Sequence, residues 1–211
     1  MTWALISGAT GEHVKLLKES RPSHVSYAGR WGMAYIEADL RGELPASWYK
    51  IPAMSAALRD GYEGVLWIDA DAMFMRNDVS IEQCALNQWN WVINRYYLGR
   101  TQGMVVPSCG VFAVTAAGGH LLDLVWAKRD KFAQHGWWEQ GAAHDLFGWG
   151  GDGYCAFVGE TEYTICQSEL PRDFNAQPHD PQPHPIVMHW SGMKFDDRLA
   201  LMKAARCTLG L

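Results

Sequence analysis

Residues 64–78, GVLWIDADAMFMRND, decide how the chain is read. Val65, Leu66, Trp67 and Ile68 form a short unbroken apolar run, the mark of a strand covered on both faces. Asp69 and Asp71 stand at its carboxyl end, separated by the small Ala70. Burying an unpaired carboxylate is costly, so two of them at this point suggest a cation and a ligand beyond the sheet edge. The plainer reading is that they cap a turn. An Asp-x-Asp triplet alone does not separate the two.

Working outward, residues 2–6 read as a strand running into the small-residue turn SGATGE, which is neither a GxGxxG nor a P-loop. Ser7 and Gly8 end that strand and are candidate nucleotide contacts, because ligands of open α/β sheets lie at the carboxyl ends of strands. Residues 12–20 are helical in pattern, and Pro22 is expected to restart the chain at a helix start or in a turn. SHVSYAGRWG fits a helix or a strand, and MAYIEADL reads as a strand. SWYKIPAMSAALRDG reads as a helix capped by Ser47, closed by Gly61, with Pro52 in its first turn. Its Lys50 serves either the donor or a solvated helix face.

Further on come a short helix near 81–86, strands WVINRY and GVFAVT, one long helix over about 116–134, and a helical WWEQGAAHDLFG. The last third is loop-rich and closes with a strand, IVMHW, and a helix near 196–206. Strands alternating with helices predict one α/β domain around a mainly parallel sheet.

Composition sets the outer bounds. A chain of 211 residues can bury a full core, and 48% hydrophobic with 19% charged residues is globular rather than disordered. A net charge of −5 gives no electrostatic reason for an obligatory nucleic-acid partner. No apolar run approaches the roughly 20 residues of a membrane span, and the amino terminus lacks the basic start and long apolar region of a signal peptide. Cys84, Cys109, Cys155, Cys166 and Cys207 form no CxxC pair and leave one over, which fits a reduced, intracellular protein. Some of the 11 tryptophans are candidate platforms for sugar rings.

A second signal is HWSGMK, residues 189–194. His189 ends an apolar strand, Gly192 allows close backbone approach, and Lys194 supplies a cation. A metal-bound diphosphate needs a neutral imidazole, a tight turn and a positive charge. Asp69, Asp71 and His189 are thus candidate ligands of Mn²⁺ or Mg²⁺.

WYKIPAMSAALRDGYEGVLWIDADAMFM resembles the signature of glycosyltransferase family 34, the galactosyl-, xylosyl- and mannosyltransferases of fungal and plant Golgi. CGVFAV, WWEQGA, FNAQP and HWSGMK follow in family order, to about residue 195. The resemblance implies a GT-A fold over 1–211, with a nucleotide-sugar half to about residue 78 and an acceptor and catalytic half beyond it. It implies a retaining hexosyl- or pentosyltransferase using Mn²⁺ and a nucleotide sugar, UDP-linked rather than GDP-linked, and a hydroxyl acceptor such as a glycan. Asp69 and Asp71 match the DxD motif, His189 the third metal ligand and Lys194 the diphosphate-binding lysine. Glu139 and Gln140 match the catalytic acidic-Gln pair.

Three positions depart from the family. Trp138 stands for the first Asp of its DDQ, the longer Glu139 for the second, and Ser108 for the Asn that opens its NTG strand. All lie where donor and acceptor meet, so the particular sugar does not carry over. The family's membrane anchor and stem are not seen, so a bacterial or viral catalytic core working in the cytoplasm is expected. Two rival readings keep part of this picture. One moves the acceptor to hydroxymethylated viral DNA, and the other is a descendant that binds nucleotide sugar or glycan without turnover.

Overall fold

The structure, a computed structural model, describes residues 2–96, 104–150 and 156–211. β1 (Trp3–Gly8) leads through a short 3-10 turn into α1 (Val14–Trp31), followed by β2 (Ala34–Ala38) and α2 (Lys50–Arg59). β3 (Gly64–Ile68) turns directly into β4 (Ala72–Phe74), and α3 (Ile81–Cys84) follows. β5 (Trp89–Tyr96) and β6 (Met104–Thr115) precede α4 (Gly119–Ala127), α5 (Arg129–Phe132) and α6 (Trp138–Leu146). The last part holds four short strands, β7 (Trp149–Gly150), β8 (Ala156–Phe157), β9 (Gln167–Glu169) and β10 (Val187–His189), then α7 (Phe195–Leu209).

Six strands make the central sheet, in the order β2-β1-β3-β6-β5-β9. β1 is parallel to β2 and β3, and β5 is parallel to β9, while β6 runs against both its neighbours. The sheet is therefore mainly parallel with one reversed strand. Alternation along each strand divides its side chains between two cores. Ala4, Ile6, Val65, Trp67, Phe112 and Val114 share one core with residues of α2, α4 and α6. Trp3, Leu5, Leu66, Ile68, Val111 and Ala113 share the other with α1, β4 and β10. All five residues of β3 are buried, which is why its sequence is apolar without alternation.

Local signals mislead where packing overrides them. Pro22 does not restart the chain: α1 runs through it, and the ambiguous 23–32 stretch is helical to Trp31. Leu16, Leu17, Tyr27 and Ala28 are buried on either side of the proline, and that packing outweighs the lost backbone hydrogen bond. Ser47 caps nothing, because it lies inside a 3-10 turn (Ala46–Tyr49) that delivers the chain to Lys50. Gly61 does close α2, its N–H donating to Leu58 O at 3.1 Å. The expected long helix breaks at Lys128, where Lys128 Nζ and Lys131 Nζ both reach the Asp145 carboxylate on α6, at 2.8 and 3.1 Å. Cys84, Cys166 and Cys207 carry free thiols, and Cys155 lies outside the described residues.

Two buried histidines make the fold sensitive to acid. Burial lowers the pKa of His24 to about 4 against the opposing bond from its Nε2 to Ala72 O. Burial does the same to His144, also to about 4, beside Pro107 O. Both rings stay neutral in the folded chain down to that pH, while unfolded imidazoles take up protons near 6.5. Their contribution is thus complete above about pH 6.5 and is lost as pH falls towards 4. Thermal melts should show Tm falling through that window, with on the order of 3 kcal/mol at stake per ring. A flat Tm from pH 6.5 to 4 would contradict this.

Candidate active site

Asp69 and Asp71 lie at the carboxyl edge of the sheet because β3 stops at Ile68 and the chain folds straight into β4. Asp69 N–H donates to Gly110 O at 2.8 Å, and Ala72 N–H donates to Asp69 O at 3.0 Å, closing the turn. β10 pairs antiparallel with β4, setting His189 opposite Ala72. Trp190 N–H then donates to Asp71 O at 3.0 Å. This pairing brings His189 Nε2 to 3.3 Å from Asp71 Oδ1 and 3.9 Å from Asp69 Oδ2. One ligand atom from each of the three residues lies within 4.8 Å of the others.

The two carboxylates are each divided in the same way. Asp69 Oδ1 accepts from Trp67 Nε1 at 2.6 Å and from Lys50 Nζ at 3.0 Å, so Oδ2 is the oxygen facing His189. Asp71 Oδ2 accepts from Arg198 Nη1 at 2.7 Å, so Oδ1 faces His189. The imidazole is set from behind. Asn175 commits its amide nitrogen to Asn94 Oδ1 at 2.7 Å, so its Oδ1 accepts from His189 Nδ1–H at 2.9 Å. Nε2 is thereby turned to the carboxylates, the usual orientation behind a metal-bound histidine. Two carboxylate oxygens and an imidazole nitrogen suit Mn²⁺ or Mg²⁺. Burial by itself would raise the Asp71 pKa, but His189 and Arg198 bring it down to about 2. Burial likewise opposes a charge on His189, and Asp71 and Asp69 more than offset it, so its pKa is raised.

Gly110 is required here by space. A Cβ on it would overlap the His189 ring and come within 3.1 Å of Asp69 Oδ2. Gly110→Ala should therefore displace the imidazole and weaken Mn²⁺ binding by about tenfold or more while the chain stays folded. Titration of Mn²⁺ into the variant, with circular dichroism as the fold check, tests this; wild-type affinity would contradict it.

Lys50 is no solvated helix residue. It is buried, and Nζ reaches Asp69 Oδ1, Glu139 Oε1 and Cys109 O, each at 3.0 Å. Burial penalises its charge, yet Asp69 and Glu139 outweigh that and raise its pKa. Glu139 is buried at the start of α6, and its Oε2 has no hydrogen-bond partner among the described residues. Gln140 points to the same edge, its Oε1 accepting from Cys109 N–H at 3.0 Å.

Asp69, Asp71, His189, Lys50, Glu139 and Gln140 line one cleft of about 730 Å³, together with Gly8, Gly192 and Trp138. Gly192 turns the chain with φ +72, a backbone that a side chain would strain. Trp138 also has positive φ, 40°, and lies partly exposed at the cleft. Ser7 is fully buried and is not among the lining residues, and its hydroxyl is unpartnered among the described residues. Lys194 is exposed just before α7, outside the cleft lining.

Four contributors went unassigned at the sequence level. Trp67 was legible, since residues i and i+2 of a strand share a face and its indole therefore accompanies Asp69. Asn175 sits within FNAQP and Gly110 within CGVFAV, but their roles depend on contacts distant in sequence. Arg198 is one helical turn beyond Lys194 and had no local signal.

No protein-family profile matches the chain, and no curated protein does. Solved structures do. A glycosyltransferase involved in the glycosylation of the major capsid of PBCV-1 superposes with a TM-score of 0.73 at 14% identity, over 97% of this chain and 100% of that one. The galactosyltransferase LgtC, in complex with donor and acceptor sugar analogues, gives 0.53 at 11% identity, over 100% and 97%. An active-site mutant of LgtC gives 0.53 at 10%, over 97% and 96%. The chain has the GT-A glycosyltransferase fold. At these identities the likeness concerns architecture, and the reaction must be read from the site that this GT-A fold carries. No helix among the described residues is long and apolar enough to cross a membrane.

Proposed function

We propose that this chain is a metal-dependent retaining glycosyltransferase, moving a hexose or pentose from a nucleotide diphosphate sugar to a hydroxyl acceptor, a glycan in the first instance. The observation that carries the proposal is the shared division of Asp69 and Asp71. Each ties one oxygen to neighbouring donors and turns the other to His189 Nε2. Asn175, holding the imidazole from behind, fixes the orientation that a metal-bound histidine needs.

In the reaction the bond from the anomeric carbon to the diphosphate oxygen breaks and the acceptor oxygen takes its place. The acceptor proton leaves with the diphosphate. A bound divalent cation would act as a Lewis acid on the two phosphates. Asp69, Asp71 and His189 would hold it. Gly8 lines the cleft at the end of β1, where the nucleotide would lie, UDP before GDP by family resemblance. Residues to about 78 form the nucleotide-sugar half and those beyond it the acceptor and catalytic half.

Glu139, with Oε1 fixed on Lys50, offers Oε2 to the positive charge that grows on the sugar ring. It acts there as nucleophile or as electrostatic partner. Gln140 uses its oxygen on Cys109 and keeps its amide N–H groups for a sugar hydroxyl. Retention rests on the resemblance to family 34. Trp138 presents an apolar ring face at the cleft, the surface a sugar ring stacks on.

The test is nucleotide release from a panel of UDP- and GDP-sugars with Mn²⁺, with free glycans in one arm and hydroxymethylated DNA in another. Release that rises with glycan and stops with chelator is expected. Release driven by the DNA arm alone would move the acceptor, and no release with any donor would leave the non-catalytic reading.

A further inference from the structure

The family pattern places the diphosphate's cation at Lys194, and the geometry points elsewhere. Lys194 is exposed outside the cleft, whereas Arg198, one turn along α7, lines it with a side chain only 15% exposed. The Arg198 guanidinium is held at two corners. Nη1 donates to Asp71 Oδ2 at 2.7 Å, and Nη2 donates to Met193 O at 2.7 Å, beside the Gly192 turn. Its third corner, Nε, is buried without a partner among the described residues. A buried N–H left unpaired beside a metal-ligand carboxylate calls for a ligand.

We propose that Arg198 is the diphosphate-binding cation of this chain, and that without ligands it stands in for the metal by neutralising Asp71. This rests on the reading of the cleft as a nucleotide-sugar site. A divalent cation held by Asp69 and Asp71 would share the Asp71 carboxylate with the Arg198 guanidinium, and like charges that share one carboxylate repel. The arrangement is relieved when an anionic diphosphate lies against both. A guanidinium fork matches phosphate oxygens with paired, charge-assisted hydrogen bonds. Arg198 therefore opposes the metal alone and favours the metal together with the diphosphate, which couples the two binding events.

Removing the guanidinium should then act with opposite signs on two measurements. In calorimetric titrations, Arg198→Met should bind Mn²⁺ alone at least about threefold more tightly than wild type, since its competitor is gone. The same variant, saturated with Mn²⁺, should bind UDP about tenfold or more weakly. Lys194→Ala should change either affinity by less than about twofold. Arg198→Lys, which keeps the charge and loses the fork, guards against misfolding of the Met variant and should weaken UDP by an intermediate amount. Unchanged or weaker Mn²⁺ binding in Arg198→Met, or a UDP loss confined to Lys194→Ala, overturns the assignment. Wild-type protein that binds neither Mn²⁺ nor UDP overturns the functional reading as well, so the two failures are told apart.

Discussion

Asp71→Asn should reduce sugar transfer by about a thousandfold or more and weaken Mn²⁺ binding at least about tenfold. The substitution keeps the size of the side chain and removes the charge that His189 and Arg198 both address, at 3.3 and 2.7 Å. An amide can still accept one hydrogen bond from Arg198, so the β4–β10 pairing and the fold should survive. His189→Ala should give the same pattern through the nitrogen ligand. The check is turnover and Mn²⁺ titration on the same preparations, with melting temperature as the control. Near-wild-type metal affinity in both variants would show that these residues form an ion-pair cluster and not a metal site.

Glu139→Gln should lower turnover by on the order of a hundredfold or more while nucleotide affinity changes little. Glu139 Oε1 is on Lys50, and its Oε2 has no hydrogen-bond partner among the described residues. The amide retains the shape and removes the negative charge that would face the sugar. Because Lys50 bridges Glu139 and Asp69, Lys50→Met should lower turnover too, and the double variant should fall little further than the worse single one. Full additivity of the two effects, or a loss appearing only in UDP affinity, would contradict a joint role at the sugar.

The fold was legible because its signals were local. The unbroken apolar run of β3, the Gly61 stop and the alternation of strands with helices each follow from near neighbours in sequence. Pro22 inside α1 and the break of the expected long helix at Lys128 have one thing in common, that neither is written in near neighbours in sequence. The site divides along the same line. Asp69, Asp71, His189, Glu139 and Gln140 come together at one cleft, and their candidacy came from motifs. Lys50 proved to be the buried link between Asp69 and Glu139, a contact that helix periodicity cannot encode. Ser7 ends the right strand and is fully buried, and it is not among the residues that line the cleft. Lys194 and Arg198 show the limit most clearly: a turn of helix separates them, and the registry of α7 determines which one enters.

The most direct test of the central claim is the electron paramagnetic resonance signal of free Mn²⁺ titrated with the protein, with and without UDP. The account predicts that the signal is lost stoichiometrically when protein and UDP are both present, and that His189→Ala abolishes this loss at the same concentrations. A free-Mn²⁺ signal that wild-type protein and UDP leave unchanged would contradict it.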